Sequence, residues 1–349
     1  MLFLVGCAGA SFRPLPDPGP VGAGTIVYTS NGEGSWEIFA VSVGDQHPMR
    51  LTLTHREHEG LAPSPDGRTL AFVSNRDGDY DVYAMTVDGT DVRRLTMAAG
   101  IDEGPVWSPD GSRLAFESRR DGNWELYVMD ADGAHQTRLT FTDGEESNPV
   151  WSKDGRRIAF ESRRDNNWEV YSMQADGSDQ ANLTHNPGSD QCPVWSPNSD
   201  RLAFTSDRSG NLELYVMNPL GAGVQRLTRT RGSEVDPVWS PDGRRIAYAV
   251  EQGAMRSLYS IALDGAEATQ LAARVPPEAK AIWSPDGKGV AFVAFGMGSN
   301  SSDLYLARSD GSGRRRLTAD SDRGQKAEPQ WLPVPVSVSM ASIAGWEMQ

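Results

Sequence analysis

One stretch of this chain returns again and again. Pro105-Val106-Trp107-Ser108-Pro109-Asp110-Gly111 has altered copies along most of the sequence, and Pro65, Pro109, Lys153, Pro197, Pro241 and Pro285 mark one position at steps of 44 residues. Tryptophan recurs two places earlier as Trp107, Trp151, Trp195, Trp239 and Trp283. A fixed period of this size means that the fold is an array of one supersecondary unit, whatever domain count the length alone would suggest.

One unit can be read from residues 105–140. Pro105-Val-Trp-Ser108 is a short β-prone run, and Pro109-Asp110-Gly111 carries turn chemistry, with Pro fixing φ and Gly accepting a positive φ. Arg113–Ser118 reads as a second strand, Arg119–Asn123 as a polar connection, and Trp124–Met129 alternates with period two as a third strand. Asp130-Ala-Asp-Gly133 turns the chain into a short fourth strand, Thr137-Arg-Leu-Thr140. Four short antiparallel strands per repeat make the blade of an all-β propeller. No stretch sustains a 3.6-residue period, so helix is expected to be scarce.

The copies can be counted by their aromatics. The second strand repeats Phe72, Phe116, Phe160, Phe204, Tyr248 and Phe292, and the third repeats Tyr83, Tyr127, Tyr171, Tyr215, Tyr259 and, after a two-residue insertion, Tyr305. One period upstream, Tyr28, Phe39 and Leu51-Thr52 supply strands two to four of another unit without its first strand. Glu328-Pro329-Gln330-Trp331 is that first strand, at the other end of the chain. The expectation is a seven-bladed propeller closed by its C-terminal strand, which removes the open sheet edges of an unclosed array. Residues 25–333 span 309 positions, one more than seven units of 44, against six or eight blades as the alternatives.

At this point the repeat P-x-W-S-P-D-G…L-A-F…S-x-R-D-G…E-L-Y-V-M-D-x-D-G…R-L-T resembles that of the TolB family, a WD-repeat-like β-propeller, over nearly all of 25–333. The resemblance implies a non-catalytic, protein-binding scaffold in the bacterial cell envelope, periplasmic or anchored to the outer membrane. TolB itself resembles a six-bladed propeller with a separate N-terminal α/β domain, and both points differ here. Similar repeats occur in an oligogalacturonate lyase family and in tricorn-like and prolyl-oligopeptidase-like peptidases. The rival readings are therefore a metal-dependent, carbohydrate-acting propeller enzyme and the propeller subunit of a peptidase assembly.

Outside the repeats, residues 1–7 end in Leu4-Val5-Gly6-Cys7, which resembles a bacterial lipobox, and Cys7 is the candidate lipidation site. There is no basic residue before it, so 1–7 reads as a truncated lipoprotein signal. Residues 8–24 alternate Pro14, Pro16, Pro18 and Pro20 with glycines, as an extended tether would. Residues 334–349 form a tail without a strong pattern. No run of 18 apolar residues occurs, so a lipid anchor is expected and a transmembrane helix is not.

Charge narrows the partners. Lys+Arg 33 against Asp+Glu 47 gives a net charge of −14, which repels phosphate backbones and argues against nucleic acid. A protein partner and a monomeric chain are expected. Two cysteines, Cys7 and Cys192, form no disulfide framework or zinc motif, and Cys192 reads as a small buried apolar side chain. No G-x-S-x-G elbow, H-E-x-x-H or Walker loop is present, and His55 with His58 is a weak metal signal.

Three sets of residues remain as candidate sites. Arg76, Arg120, Arg164 and Arg208 after the second strand are expected to pair across the hairpin with Asp81, Glu125, Glu169 and Glu213 on the third, as structural ion pairs. Trp36, Trp124 and Trp168 start third strands beside exposed turns and are candidate contact residues. The metal candidates are Asp102, Glu146, Asp190, Glu234 and Glu278, three residues before Pro105 and its equivalents, with His58 and Lys326 in the outer copies. Placed at the channel rim, they would form a ring of negative charge for a basic segment or a divalent cation such as calcium, unless each only ties its blade to the next. Residues 250–258 and 294–303 break the pattern and are read as a partner face.

Overall fold

The computed structural model describes residues 24–32, 34–44, 47–253, 255–265, 268–296, 301–318 and 324–333. They form seven four-stranded antiparallel sheets and, among the described residues, no helix. The tether, Cys7 and the tail 334–349 lie outside the described residues. Within each blade the strand order follows the chain from the axis outward, except in the first. There Lys326–Trp331 lies innermost and pairs with Thr25–Ser30, placing Ile26 opposite Trp331 and Ser30 opposite Lys326. The blades are numbered I to VII, blade I being the one shared by the two chain ends.

The turn residues act as their chemistry dictates. In blade III the inner strand Asp102–Trp107 ends at Ser108, whose carbonyl accepts the Gly111 N–H at 2.8 Å while Asp110 Oδ1 accepts the Ser108 hydroxyl at 2.6 Å. Gly111 sits at φ 71°, where a side chain is disfavoured. Successive prolines interlock with this turn, since a Cβ on Gly111 would stand 3.6 Å from Pro65 of the preceding blade.

An apolar fraction of 38% is modest and suits antiparallel strands that alternate buried and exposed positions. The second and third strands are instead buried on both faces: Thr25–Ser30 is buried throughout, as is all but the last residue of Asp81–Thr86. Each blade is sandwiched between two neighbours, so solvent is met by the outer strand, the loops and the channel side of the inner strand. Cross-strand aromatics fill these interfaces, with ring centroids 5.5 Å apart for Phe116–Tyr127 and 5.8 Å for Phe160–Tyr171.

The repeating tryptophans lock the ring at one channel mouth. Each indole N–H donates to an inner-strand carbonyl of the preceding blade: Trp107 to Ala62, Trp151 to Val106, Trp195 to Val150, Trp239 to Val194 and Trp283 to Val238, at 2.9–3.2 Å. Four of the rings, Trp107, Trp151, Trp195 and Trp239, line an apolar recess of about 430 Å³ with prolines at its edge.

Candidate functional site

The inner-strand acids do not form an open ring. Asp102, Glu146, Asp190 and Glu234 are each fully buried at the start of their inner strands. In three blades the acid is paired with the arginine that follows the second strand: Arg120 to Asp102, Arg164 to Glu146 and Arg208 to Asp190, all at 2.8 Å. Glu278 lies outside a strand and is exposed, so it shares neither their burial nor their partner. Among the described residues no three His, Cys, Asp or Glu side chains converge as metal ligands would.

The expected pairing across the hairpin is replaced by two separate ion pairs. Glu125 stands opposite Ser118, which leaves Arg120 past the end of the ladder and turned toward the inner strand. Its guanidinium covers the Tyr127 ring at 4.6 Å and reaches Asp102. Glu125 pairs instead with Arg138 of the outer strand at 2.8 Å and accepts the Thr142 N–H at 3.0 Å, fastening the crossover into the next blade. Arg94–Asp81, Arg226–Glu213 and Arg316–Asp303 repeat this pair. In blade IV the outer position is Asn182, and Glu169 relies on the Thr184 hydroxyl and the Asn186 N–H.

Blade VI breaks the first of these pairs. Gln252 stands where Arg120, Arg164 and Arg208 stand in their blades, so buried Glu234 has no arginine. Its carboxyl takes the Thr230 hydroxyl at 2.7 Å and shares a hydrogen bond with Glu213. Burial and the neighbouring Glu213 push Glu234 up to about 7. In blade II His58 takes the place of the acid, with Nε2 at 2.7 Å from the Thr54 hydroxyl and 3.5 Å from Glu37. This histidine belongs to the blade interior and not to a metal cluster.

The residues that depart most from the repeat face the central channel. Inner strands of blades II to VI each carry a bulge two residues past the buried acid position. Gly60, Gly104, Asn148, Cys192, Asp236 and Glu328 occupy this position with φ between 48° and 64°, and Lys280 is its equivalent in blade VII. Left-handed backbone costs a residue such as Cys192 or Glu328 about 1 kcal/mol or more, and such strain clusters at functional sites. The bulge frees a backbone N–H that the preceding blade accepts: Gly60 N–H bonds Glu328 at 2.8 Å, Asn148 N–H bonds Glu117 at 2.8 Å and Cys192 N–H bonds Glu161 at 2.7 Å.

Around this level lies a cavity of about 680 Å³. Its wall at blades VI and VII is a network centred on Asp236, which holds Arg256 at 2.8 Å and Lys280 at 3.1 Å, while Arg256 also contacts Glu251. Glu251 and Arg256 come from the divergent stretch 250–258, so that stretch contributes to the channel; of the second divergent stretch, 297–300 lie outside the described residues. Acids also gather on the inner and second strands of blades I, III and IV, with Glu117 and Glu328 lining the cavity. Burial raises Glu103, Glu117, Glu161 and Glu328 above the ordinary carboxylate range, and Glu117, further raised by Glu103 and Glu161, is pushed up to about 8.

Other side chains are engaged structurally. Cys192 has its thiol pushed up to about 12 by burial and by Glu161, the reverse of an activated nucleophile. Trp36, Trp124 and Trp168 are half-buried at the loop end of their blades. Exact repetition was the signal that separated framework from site. A signal for the channel was also present in the sequence, since residues 60, 104, 148, 192, 236, 280 and 328 read Gly, Gly, Asn, Cys, Asp, Lys and Glu.

Comparison with known proteins agrees with this architecture. The profile of a family described as the TolB beta propeller domain matches residues 25–186 and 180–333. No curated protein sequence matches the chain. Among solved structures, a putative TolB from Agrobacterium tumefaciens is 19% identical, with a TM-score of 0.57 over 82% of this chain and 98% of that one. An oligogalacturonate lyase in complex with manganese is 15% identical, with a TM-score of 0.65 over 86% and 87% of the two chains. A puromycin hydrolase is 17% identical, with a TM-score of 0.67 over 89% of this chain but 54% of that one. At these identities the three structures share the propeller fold.

Proposed function

Because the chain belongs to the TolB β-propeller domain family, we propose that it is a non-catalytic, protein-binding propeller of the bacterial cell envelope that receives part of a partner protein at its central channel. The observation that carries this reading is the contrast between frame and channel. Blade cores repeat the same aromatics and ion pairs, whereas the seven equivalent inner-strand positions, six of which line the cavity, carry six different residue types. Folding alone calls for equivalent residues at equivalent positions; a ring of unlike ones suits recognition of an asymmetric ligand.

Export, with tethering through Cys7 and the proline-rich segment, belongs to the same proposal. Strand Thr25–Ser30 begins, and strand Lys326–Trp331 ends, at the tryptophan mouth, as their antiparallel register requires. A tether entering there leaves the opposite, loop-rich mouth turned away from the anchoring surface.

A photo-crosslinking amino acid at Asn148, with a second at exposed Arg201 on an outlying turn, tests the reading in intact cells of a bacterium expressing the protein. A discrete adduct from position 148, absent from 201 and lost on Asp236→Ala, is expected. Adducts independent of position 148, or none, would remove the channel as the docking site.

A further inference from the structure

Glu117 carries the argument further than any other group in the channel. It projects from the second strand of blade III into the cavity, and the Asn148 N–H at 2.8 Å fixes one of its oxygens, Oε1. The other oxygen has no protein donor. Gly104 keeps the adjacent space open: at φ 61° it has no side chain, and a Cβ there would lie 3.0 Å from Glu117 Oε1.

Among the described residues no cation pairs with this carboxylate. The basic residues lining the cavity are Arg256 and Lys280, and both are held by Asp236 on the far wall. The groups facing Glu117 are Glu103 of its own blade, Glu161 of the next blade and the Asn148 amide. A half-buried carboxyl in acidic company calls for a positive partner. A divalent metal suits the place poorly, since no three potential ligands converge among the described residues. Beside Glu117 the wall is aliphatic, formed by Pro105, Val106, Pro149 and Val150. Carboxylate next to aliphatic wall matches a cation carried on a methylene chain, whose stem packs while its head pairs.

We propose that this cavity is a binding site for an alkylammonium group, from a lysine side chain or a free polyamine, with Glu117 as its counter-charge. The inference rests on the channel reading above and adds the chemical group recognised. Occupation favours ionised Glu117. Since burial holds that carboxyl up to about 8 in the open channel, binding near neutral pH releases a proton and tightens as pH rises toward 8.

Calorimetric titration of the whole chain with putrescine, with an acetylated, amidated Gly-Lys-Gly peptide and with calcium chloride tests this, run in two buffers of different ionisation enthalpy. Expected are saturable amine binding with proton release, at least tenfold weakening by Glu117→Gln and by Gly104→Ala, and no change on Asp143→Asn, an exposed control. Binding of putrescine alone identifies a free amine; binding of the peptide identifies a lysine side chain. Silence with both amines, or calcium binding that Glu117→Gln abolishes while amines do not compete, overturns the proposal. Thermal unfolding of each variant shows that it is folded, and Gly104→Ala leaves the carboxylate in place should Glu117→Gln fold poorly. Amine silence with an intact Asn148 crosslink would remove this inference and leave partner binding standing.

Discussion

Arg120 reaches Asp102 at 2.8 Å while its plane lies over Tyr127, so one guanidinium ties three of the four strands of blade III. Asp102 is fully buried and Arg120 nearly so. Removing one member of such a pair strands a buried charge, which costs about 3–5 kcal/mol, whereas replacing both with apolar groups is often close to neutral. Arg120→Met is therefore expected to lower the urea midpoint sharply, and Arg120→Met with Asp102→Leu to recover much of the loss. An equal loss in single and double variants would show that the pair is not what holds the strand.

Glu234 makes stability depend on pH. Its folded value of about 7 lies above that of an exposed glutamate, so the folded state keeps a proton that the unfolded chain releases. The stabilisation is complete below the unfolded value near 4.5 and is lost as pH rises to about 7. Glu234→Gln should flatten this decline between pH 5 and 7, measured by urea unfolding at each pH. A slope unchanged in the variant would assign the proton elsewhere.

The indole relay predicts a graded response. Trp151→Phe keeps the ring and loses the 3.1 Å bond to Val106, at a cost of about 1 kcal/mol. Trp151→Ala also opens the blade interface and should cost about 3–5 kcal/mol. Differential unfolding of the two variants against wild type separates the hydrogen bond from the packing.

Closure by the last strand can be tested by ending the chain after Gln325. That deletion exposes the inner edge of Thr25–Ser30 and empties the places of Trp331 and Leu332, both buried. An unprotected edge of this kind invites pairing between chains. Size-exclusion chromatography should show association, and the cooperative thermal transition should be lost. A monomer with unchanged melting would mean that blade I stands on three strands.

The blade count was legible because 44-residue spacing is independent of any side-chain detail, and the split blade followed from matching Trp331 to Trp283. Partner choice among charges was not legible. Arg120 and Glu125 are close in sequence, yet the second strand ends at Ser118, before the arginine, and sends it inward. The true partner of Glu125 is Arg138, thirteen residues on. Whether the expected rim carboxylates face the axis or the blade depends on the bulge that follows them, which has no fixed residue type: glycine makes it at 104, cysteine at 192 and glutamate at 328.

That bulge separates two demands usually made on the same residues. Ladder and blade packing are carried on either side of it, and the residue at its apex is held by its own backbone N–H, as at Cys192 and at Asn148, whose side-chain amide also donates to Glu161 at 2.7 Å. At an apex such as Cys192, side-chain identity is thus uncoupled from the ring's integrity, whereas the Glu328 carboxylate also holds the Gly60 N–H of the next blade. The channel can acquire a new ligand by exchanging apex residues one at a time, with each intermediate still a closed propeller.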